Sequence, residues 1–259
     1  RMTVSYASYL QVDALLALQR PLSEGPEHDE LLFIVIHQVY ELWFKQVLHE
    51  VELLGRALGD NDAPTAQRTL KRVLTIMKTL VGQVDVLETM TPLSFNAFRA
   101  RLETASGFQS AQFRELEFAL GQRNTKQLAH HADGARARLE AWLARPSIYD
   151  QFLRFVRARG FELPDALLER DLTQSNQPSE AAQAAVLALY KNDPVGAQVA
   201  ELLVDLDEGL QEWRYRHVKM AERTIGTRVG TGGSSGAEYL KATLFRPVFA
   251  DLWAIRAQL

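Results

Sequence analysis

The chain has 259 residues, 47% of them apolar, with a formal charge of −3 from 29 basic and 32 acidic side chains. That is enough chain to bury a substantial core, and the interspersed charge leaves no basic tract for a nucleic acid. It contains no cysteine, which removes disulfides, zinc–thiolate sites, iron–sulfur clusters and catalytic thiols together and favours a cytoplasmic home.

The N-terminal RMTVSYASYL lacks the apolar core of a signal peptide. Tyr6 and Tyr9 fall just before or at a first helix, where an aromatic packs on its own domain or reaches into a neighbouring subunit. Residues 28–58, HDELLFIVIHQVYELWFKQVLHEVELLGRAL, have the period of a helix ~45 Å long. Its first half is apolar almost all round and is expected inside the bundle. Helical patterns follow at about 64–90, 91–103, 109–121, 124–144, 146–159, 180–191, 194–226 and 236–256. Prolines at 21, 26, 92, 146, 164, 178 and 194 fall at the boundaries of these patterns, where proline is tolerated. Residues 171–180, DLTQSNQPSE, read as the most loop-like interior stretch. No apolar run reaches the ~18 residues of a membrane span, so no membrane partner is expected. The expectation is one all-α domain over 1–259, a helical bundle built on long core helices.

Two of six histidines sit on apolar helical stripes. His217 has Trp213 and Leu210 four and seven residues before it, and Met220 and Ile225 three and eight after. His37 has Phe33 and Ile34 one turn before it and Tyr40 and Glu41 one turn after. Either alone reads most simply as a core imidazole satisfied by a carbonyl or carboxylate. The pair, on two long helices, leaves a shared ligand or cofactor equally open. No histidine has glutamate three residues before it, as a di-iron bundle requires, and HExxH is absent. Haem asks the protein for a single axial ligand, and without cysteine histidine is the natural candidate. Arg99 is flanked on one helical face by Phe95 and Leu102. It is either a snorkelling stem on an apolar surface or a guanidinium fork for a carboxylate ligand. The stretch RVGTGGSSGAEYL at 228–240 begins at the end of the His217 helix. It lacks the Gly-Lys-Ser/Thr ending of a phosphate-binding loop and follows no strand, so it reads as a cover over a site near His217.

Five blocks carry a resemblance to the tryptophan 2,3-dioxygenases: YASYLQVDALL (6–16), HDELLFIVIHQVYELWFKQVLHE (28–50), LETMTPLSFNAFR (87–99), ASGFQSAQFRELEFALG (105–121) and WRYRHVKMAERTIGTRVGTGGSSG (213–236). They extend over nearly the whole chain in the family's order, with 122–200 less distinctive. The resemblance implies an all-α homotetramer with one b-type haem per subunit, ferrous in the active form. It implies that His217 is the proximal iron ligand and His37 the distal histidine. Arg99 would pair with the substrate carboxylate, Thr231 would contact its amino-acid end, and Phe33 would pack on the indole. Tyr6 and Tyr9 would come from an adjacent subunit, on which residues 1–20 pack. Leu102, Ser106 and Gly107 would line the pocket. Phe95 and Ala105 stand where some members have tyrosine and serine, which is expected to tune affinity. The implied reaction is cleavage of the indole C2–C3 bond of L-tryptophan by dioxygen to give N-formylkynurenine, the first step of the kynurenine pathway. A related haem oxygenase acting on a substituted tryptophan or tyrosine, and a non-catalytic helical scaffold, are the alternatives to test against it.

Overall fold

The computed structural model describes residues 3–25, 27–103, 105, 107–230 and 237–259, with only the backbone described at Phe108 and Tyr239. The described residues are all-α, with no strand among them. In chain order the helices are α1 (Tyr6–Leu10), α2 (Val12–Leu16), α3 (His28–Gly59), α4 (Ala63–Leu87), α5 (Pro92–Arg99), α6 (Ala111–Leu120), α7 (Asp133–Leu143), α8 (Ile148–Ala158), α9 (Asp165–Leu168), α10 (Glu180–Asn192), α11 (Pro194–Ile225), α12 (Ala237–Lys241) and α13 (Ala250–Ala254).

Local chemistry sets the starts. Thr91, Asp62 and Asp193 each cap a helix by accepting a backbone N–H, from Ser94 (3.1 Å), Thr65 (3.1 Å) and Gly196 (3.1 Å), and a proline follows in each first turn. Ser147 and Asp150 form a reciprocal capping box on α8. Two long patterns break where the periodicity alone continues. The 124–144 segment divides into a 3-10 turn, Thr125–His130, and α7, because Ala132 is extended at ψ 161. The 236–256 segment divides into α12 and α13. Arg246 precedes Pro247, which disfavours helical geometry, and Phe245 sits at φ 57. Asp207 then fixes the restart by accepting the Val248 and Phe249 N–H groups at 2.8 and 2.9 Å.

Three long helices organise the bundle. The α3–α4 pair is antiparallel: Arg72 reaches Glu50, and Tyr40 donates to the Leu80 carbonyl at 2.8 Å. The α4–α11 pair is parallel, since Gln67 meets Gln198 near their starts and Arg216 meets Asp85 and Glu88 near their ends. The beginning of α3 and the ends of α4 and α11 therefore converge. The main core lies away from that convergence, around Leu54, Leu58, Leu70, Leu80, Phe152, Val199 and Leu203.

The first half of α3 departs from expectation. It carries Leu31, Val35 and Leu42 at 48%, 38% and 51% exposure rather than lying wholly inside. One face lines the convergence and the other is left uncovered among the described residues, whereas the second half packs Val47, Val51 and Leu54 into the core. By length and apolarity α3 is the one helix among the described residues that could cross a membrane, yet its second half is core.

Candidate functional site

The converging helix ends enclose a cavity of about 240 Å³. From α3 it takes Phe33, His37, Tyr40, Glu41 and Phe44; from α5, Phe95 and Arg99; from α11, Trp213, His217, Met220 and Ile225. Leu102, Ala105 and Gly107 line it from the connection into α6, and Gly230 from the end of the described segment after α11. Thus Phe33, His37, Phe95, Arg99, Leu102, Gly107 and His217, widely separated in sequence, share one space. Thr231 and Ser106 lie outside the described residues. Tyr6 and Tyr9 stand on α1 at 79% and 76% exposure and do not line this cavity.

A second, small core supports it. Ile36, Leu87, Met90, Phe95 and Phe98 are buried together, with Phe33, Leu102 and Met220 packed against them. The Phe33 ring lies 5.8 Å from Phe95 and 5.5 Å from Phe98, tilted and edge-on, so its own position is fixed by aromatic contacts.

Both imidazoles are held neutral. Burial is the main cause that pushes His217 down to about 4, and the proximity of His37 and of the Arg114 guanidinium acts in the same direction. Burial also lowers His37, opposed by its bond to the Phe33 carbonyl and by Glu41. His37 Nδ1 lies 2.7 Å from that carbonyl, so Nδ1 carries the proton and Nε2 keeps its lone pair. His217 makes no hydrogen bond to any described residue; its ring packs 5.0 Å from that of Trp213. Each ring still shows surface because it faces the cavity rather than bulk water. A neutral imidazole, buried and unclaimed, is the state in which histidine binds a metal.

Arg99 is half-exposed at the C-terminal end of α5 and donates from Nη2 to the Val229 carbonyl at 2.6 Å. Arg228 donates to Asn96 at 2.9 Å, so two contacts fasten the segment leaving α11 onto α5. Glu41 does the same for the entry into α6, accepting from Ser110 at 2.6 Å and Gln112 at 2.8 Å.

The far wall is ionic. Glu117, 9% exposed, accepts from Arg214 at 3.0 Å and from Arg114, leaving two guanidinium groups on one carboxylate. Sequence reasoning missed this trio, and it missed Tyr40, Phe44, Phe113 and Trp213 as lining residues. Trp213 had a signal, one turn before His217. Glu117 and the two arginines had none, because surface charge is the usual reading of such residues on a helix.

Arranged in this way, the site can hold a flat apolar group between aromatic rings, a metal on one side, an N–H donor at His37 and a carboxylate at Arg99. The family model described as Tryptophan 2,3-dioxygenase matches residues 1–145 and 178–259. Relatives bearing that name include a Herpetosiphon aurantiacus protein, 57% identical over 99% of this chain and 98% of its own length. An Anaeromyxobacter dehalogenans protein is 58% identical over 99% and 96%, and a Caulobacter vibrioides protein 45% identical over 99% and 98%.

Proposed function

The chain belongs to the tryptophan 2,3-dioxygenase family, and we propose that it oxidises L-tryptophan with dioxygen to N-formylkynurenine in this cavity, with a b-type haem as cofactor. The observation that carries this reading is His217, a buried neutral imidazole without a hydrogen-bond partner among the described residues, opening on an aromatic cavity that also holds His37 and Arg99.

The residues present fit the cofactor. His217 offers the one ligand that ferrous haem needs from the protein. The rings of Phe44, Phe113 and Trp213 give a porphyrin an apolar surround, and Arg114 and Arg214 give its carboxylates a cationic wall. When bound, the haem activates dioxygen, both atoms of which enter the substrate as the indole C2–C3 bond breaks.

The protein's own contribution is position. Phe33 packs on the indole, and Leu102, Ser106, Gly107 and Phe95 complete the pocket. His37 accepts the indole N–H at Nε2; because the indole N–H is a very weak acid, this bond orients the ring rather than removing a proton. Arg99 pairs with the α-carboxylate, and Thr231 contacts the amino-acid end. Tying Arg99 to Val229 sets that segment against the substrate's polar end, where closure would exclude water.

The assembly we propose is a homotetramer, with the domain 1–259 lending residues 1–20 to a neighbour so that Tyr6 and Tyr9 reach the neighbour's pocket. The exposed apolar side chains of the arm and of Leu31, Val35 and Leu42 support it, since such surface marks an interface. The proposed location is the cytoplasm.

The test is product analysis on haem-reconstituted protein with tryptophan, ring-substituted tryptophans and tyrosine, beside the haem content of His217→Ala. Formation of N-formylkynurenine from tryptophan, with haem lost from the variant, is the expected result. Turnover of tyrosine alone, or an unchanged haem spectrum in His217→Ala, would overturn it.

A further inference from the structure

A second cavity, of about 650 Å³, adjoins the first across a wall of Arg114, Glu117, Arg214 and Thr243, which line both. Where the first is aromatic, the second is polar. Its lining carries four guanidinium groups, those of Arg114, Arg123, Arg214 and Arg246, against the carboxylates of Glu117 and Asp251.

Neither carboxylate is available to balance the excess. Glu117 is held between Arg114 and Arg214. Asp251, 1% exposed, accepts from the Tyr149 hydroxyl, the Ser179 N–H at 2.8 Å and the Gln183 amide at 2.9 Å.

Arg123 and Arg246 line only this cavity. Arg123 is 5% exposed and donates to the carbonyls of Phe118 (3.2 Å), Leu143 (3.4 Å), Arg145 (2.6 Å) and Leu172, with no carboxylate among its partners. Carbonyl dipoles soften a buried charge but do not neutralise it. Arg246 is exposed, and among the described residues its guanidinium makes no hydrogen bond or ion pair. Opposite, Asn176 is seated by donating from its side chain to Ser147 at 3.3 Å and from its backbone to the Gly121 carbonyl at 3.2 Å. Gly121 is at φ +117, and a Cβ there would stand 2.4 Å from Asn176 Nδ2, so the seat requires glycine. Asn176 Oδ1 is buried without a donor among the described residues.

From this arrangement we propose that the second cavity binds a small, multiply charged oxyanion, a hydroxyl-bearing polycarboxylate or a phosphate ester, with the Arg246 fork meeting its charge, the buried Arg123 charge adding to the attraction, and Asn176 Oδ1 accepting from its hydroxyl. A guanidinium fork with no carboxylate of its own matches an incoming oxyanion, and an excess of positive charge in a cleft attracts one. The site does not depend on the activity assigned to the first cavity.

Calorimetry on the haem-loaded full chain tests it, with citrate and inorganic phosphate as probes at ionic strength held constant with chloride. Saturable binding of either probe is expected, weakened about tenfold to a hundredfold in Arg246→Ala, the range of a charge-assisted hydrogen bond. Preference for citrate identifies the organic acid as the source, and preference for phosphate the ester. The same affinity is expected with tryptophan present, because the first cavity is separate. Four results would overturn the proposal: no saturable heat, equal binding by Arg246→Ala, competition with tryptophan, or binding confined to haem-free protein. The last would show that the cofactor's own carboxylates fill the space.

Discussion

The described residues form two hydrophobic cores, which share α3 and α4 and serve opposite purposes. The larger is closed: Leu54, Leu58, Leu70, Leu80, Phe152 and Phe155 have no exposure, and rings and branched chains fill the space between α3, α4, α8, α10 and α11. The smaller, around Phe95 and Phe98, borders a cavity that it leaves open. A filled core is expected to set folding stability. A hollow one gives up dispersion contacts in return for a shaped space. One helix serves both, since α3 sends its second half into the closed core and its first half to the cavity.

The largest expected effect separates the two cores directly. Phe152→Ala removes a ring from fully packed surroundings and is expected to cost about 3–5 kcal/mol of folding stability. Phe33→Ala, whose ring already faces a cavity, is expected to cost on the order of 1 kcal/mol while raising the Michaelis constant for tryptophan. Denaturant melts of both variants, beside steady-state kinetics, check the pair. Equal stability losses would mean that the smaller core is not hollow in solution.

Acid should act on the closed region through Asp150. Burial alone would raise this carboxyl, but the hydrogen bonds from Arg170 (2.7 and 2.9 Å) and Ser147 outweigh it and hold the group below its usual 3.8. The unfolded chain therefore binds the proton first as pH falls. The stability from this group is fully present above about pH 4 and is lost as pH drops through the depressed folded value. Asp150→Asn is expected to lower stability at neutral pH by ~2–3 kcal/mol, since it leaves Arg170 without its partner, and to flatten the acid limb below pH 4. An acid limb unchanged in the variant would assign it to other carboxylates.

Arg99 should behave in the reverse sense, with little effect on folding and much on the ligand. It is half-exposed and makes one described hydrogen bond, to Val229, so Arg99→Ala is expected to change stability by no more than ~0.5 kcal/mol. A carboxylate set among apolar rings needs a charged partner, and losing it is expected to weaken tryptophan by ~1.5–3 kcal/mol, one to two decades in the Michaelis constant. Arg99→Lys should recover little, because an ammonium cannot reproduce the fork. Tryptamine, which lacks the carboxylate, should bind the parent poorly and lose little more in the variant. Tryptamine binding the parent as well as tryptophan would remove Arg99 from this role.

The sequence made some of this legible and hid the rest for physical reasons. The long helices show because a 3.6-residue period survives over 25 to 32 residues and proline and capping side chains mark their starts. The split near Pro247 was missed because apolar spacing continues through LFRPVF while the backbone turns at Phe245. His37, Arg99 and His217 stood out as polar groups on apolar stripes. The buried Arg114–Glu117–Arg214 wall did not, because Arg114 and Glu117 read as an ordinary surface pair one turn apart on α6, and only the crossing of α11 adds Arg214 and buries them. The exposed half of α3 misled for a related reason: an apolar face signals burial but does not say against which chain.

The smallest effect on folding and the sharpest on assembly is expected from the N-terminal arm. Tyr6 and Tyr9 are almost wholly exposed, and the side-chain hydrogen bonds of α1 are local, between Ser5 and Ser8 and from Gln11 to the Ser8 carbonyl. Among the described residues the arm is fastened to the body further on, where Gln38 donates to the Leu18 carbonyl at 3.2 Å and Glu30 accepts the Leu22 and Ser23 N–H groups at 2.6 and 3.1 Å. Residues 3 to 10 therefore contribute little to the fold of their own subunit, and deleting the segment up to Leu10 is expected to change its stability by no more than ~0.5 kcal/mol. Two exposed tyrosines stand on this helix, and aromatic side chains of this kind are enriched where proteins meet. If a neighbour's substrate pocket receives them, the deletion should leave haem content unchanged in each subunit, raise the Michaelis constant for tryptophan and weaken the tetramer in sedimentation. Mixing the deleted chain with a chain carrying Arg99→Ala then separates donor from acceptor. The deleted subunit keeps an intact Arg99 pocket, and the variant subunit keeps its arm, so mixed tetramers should recover tryptophan turnover that neither parent shows at low substrate. A truncated chain that is monomeric and fully active would place Tyr6 and Tyr9 outside the site.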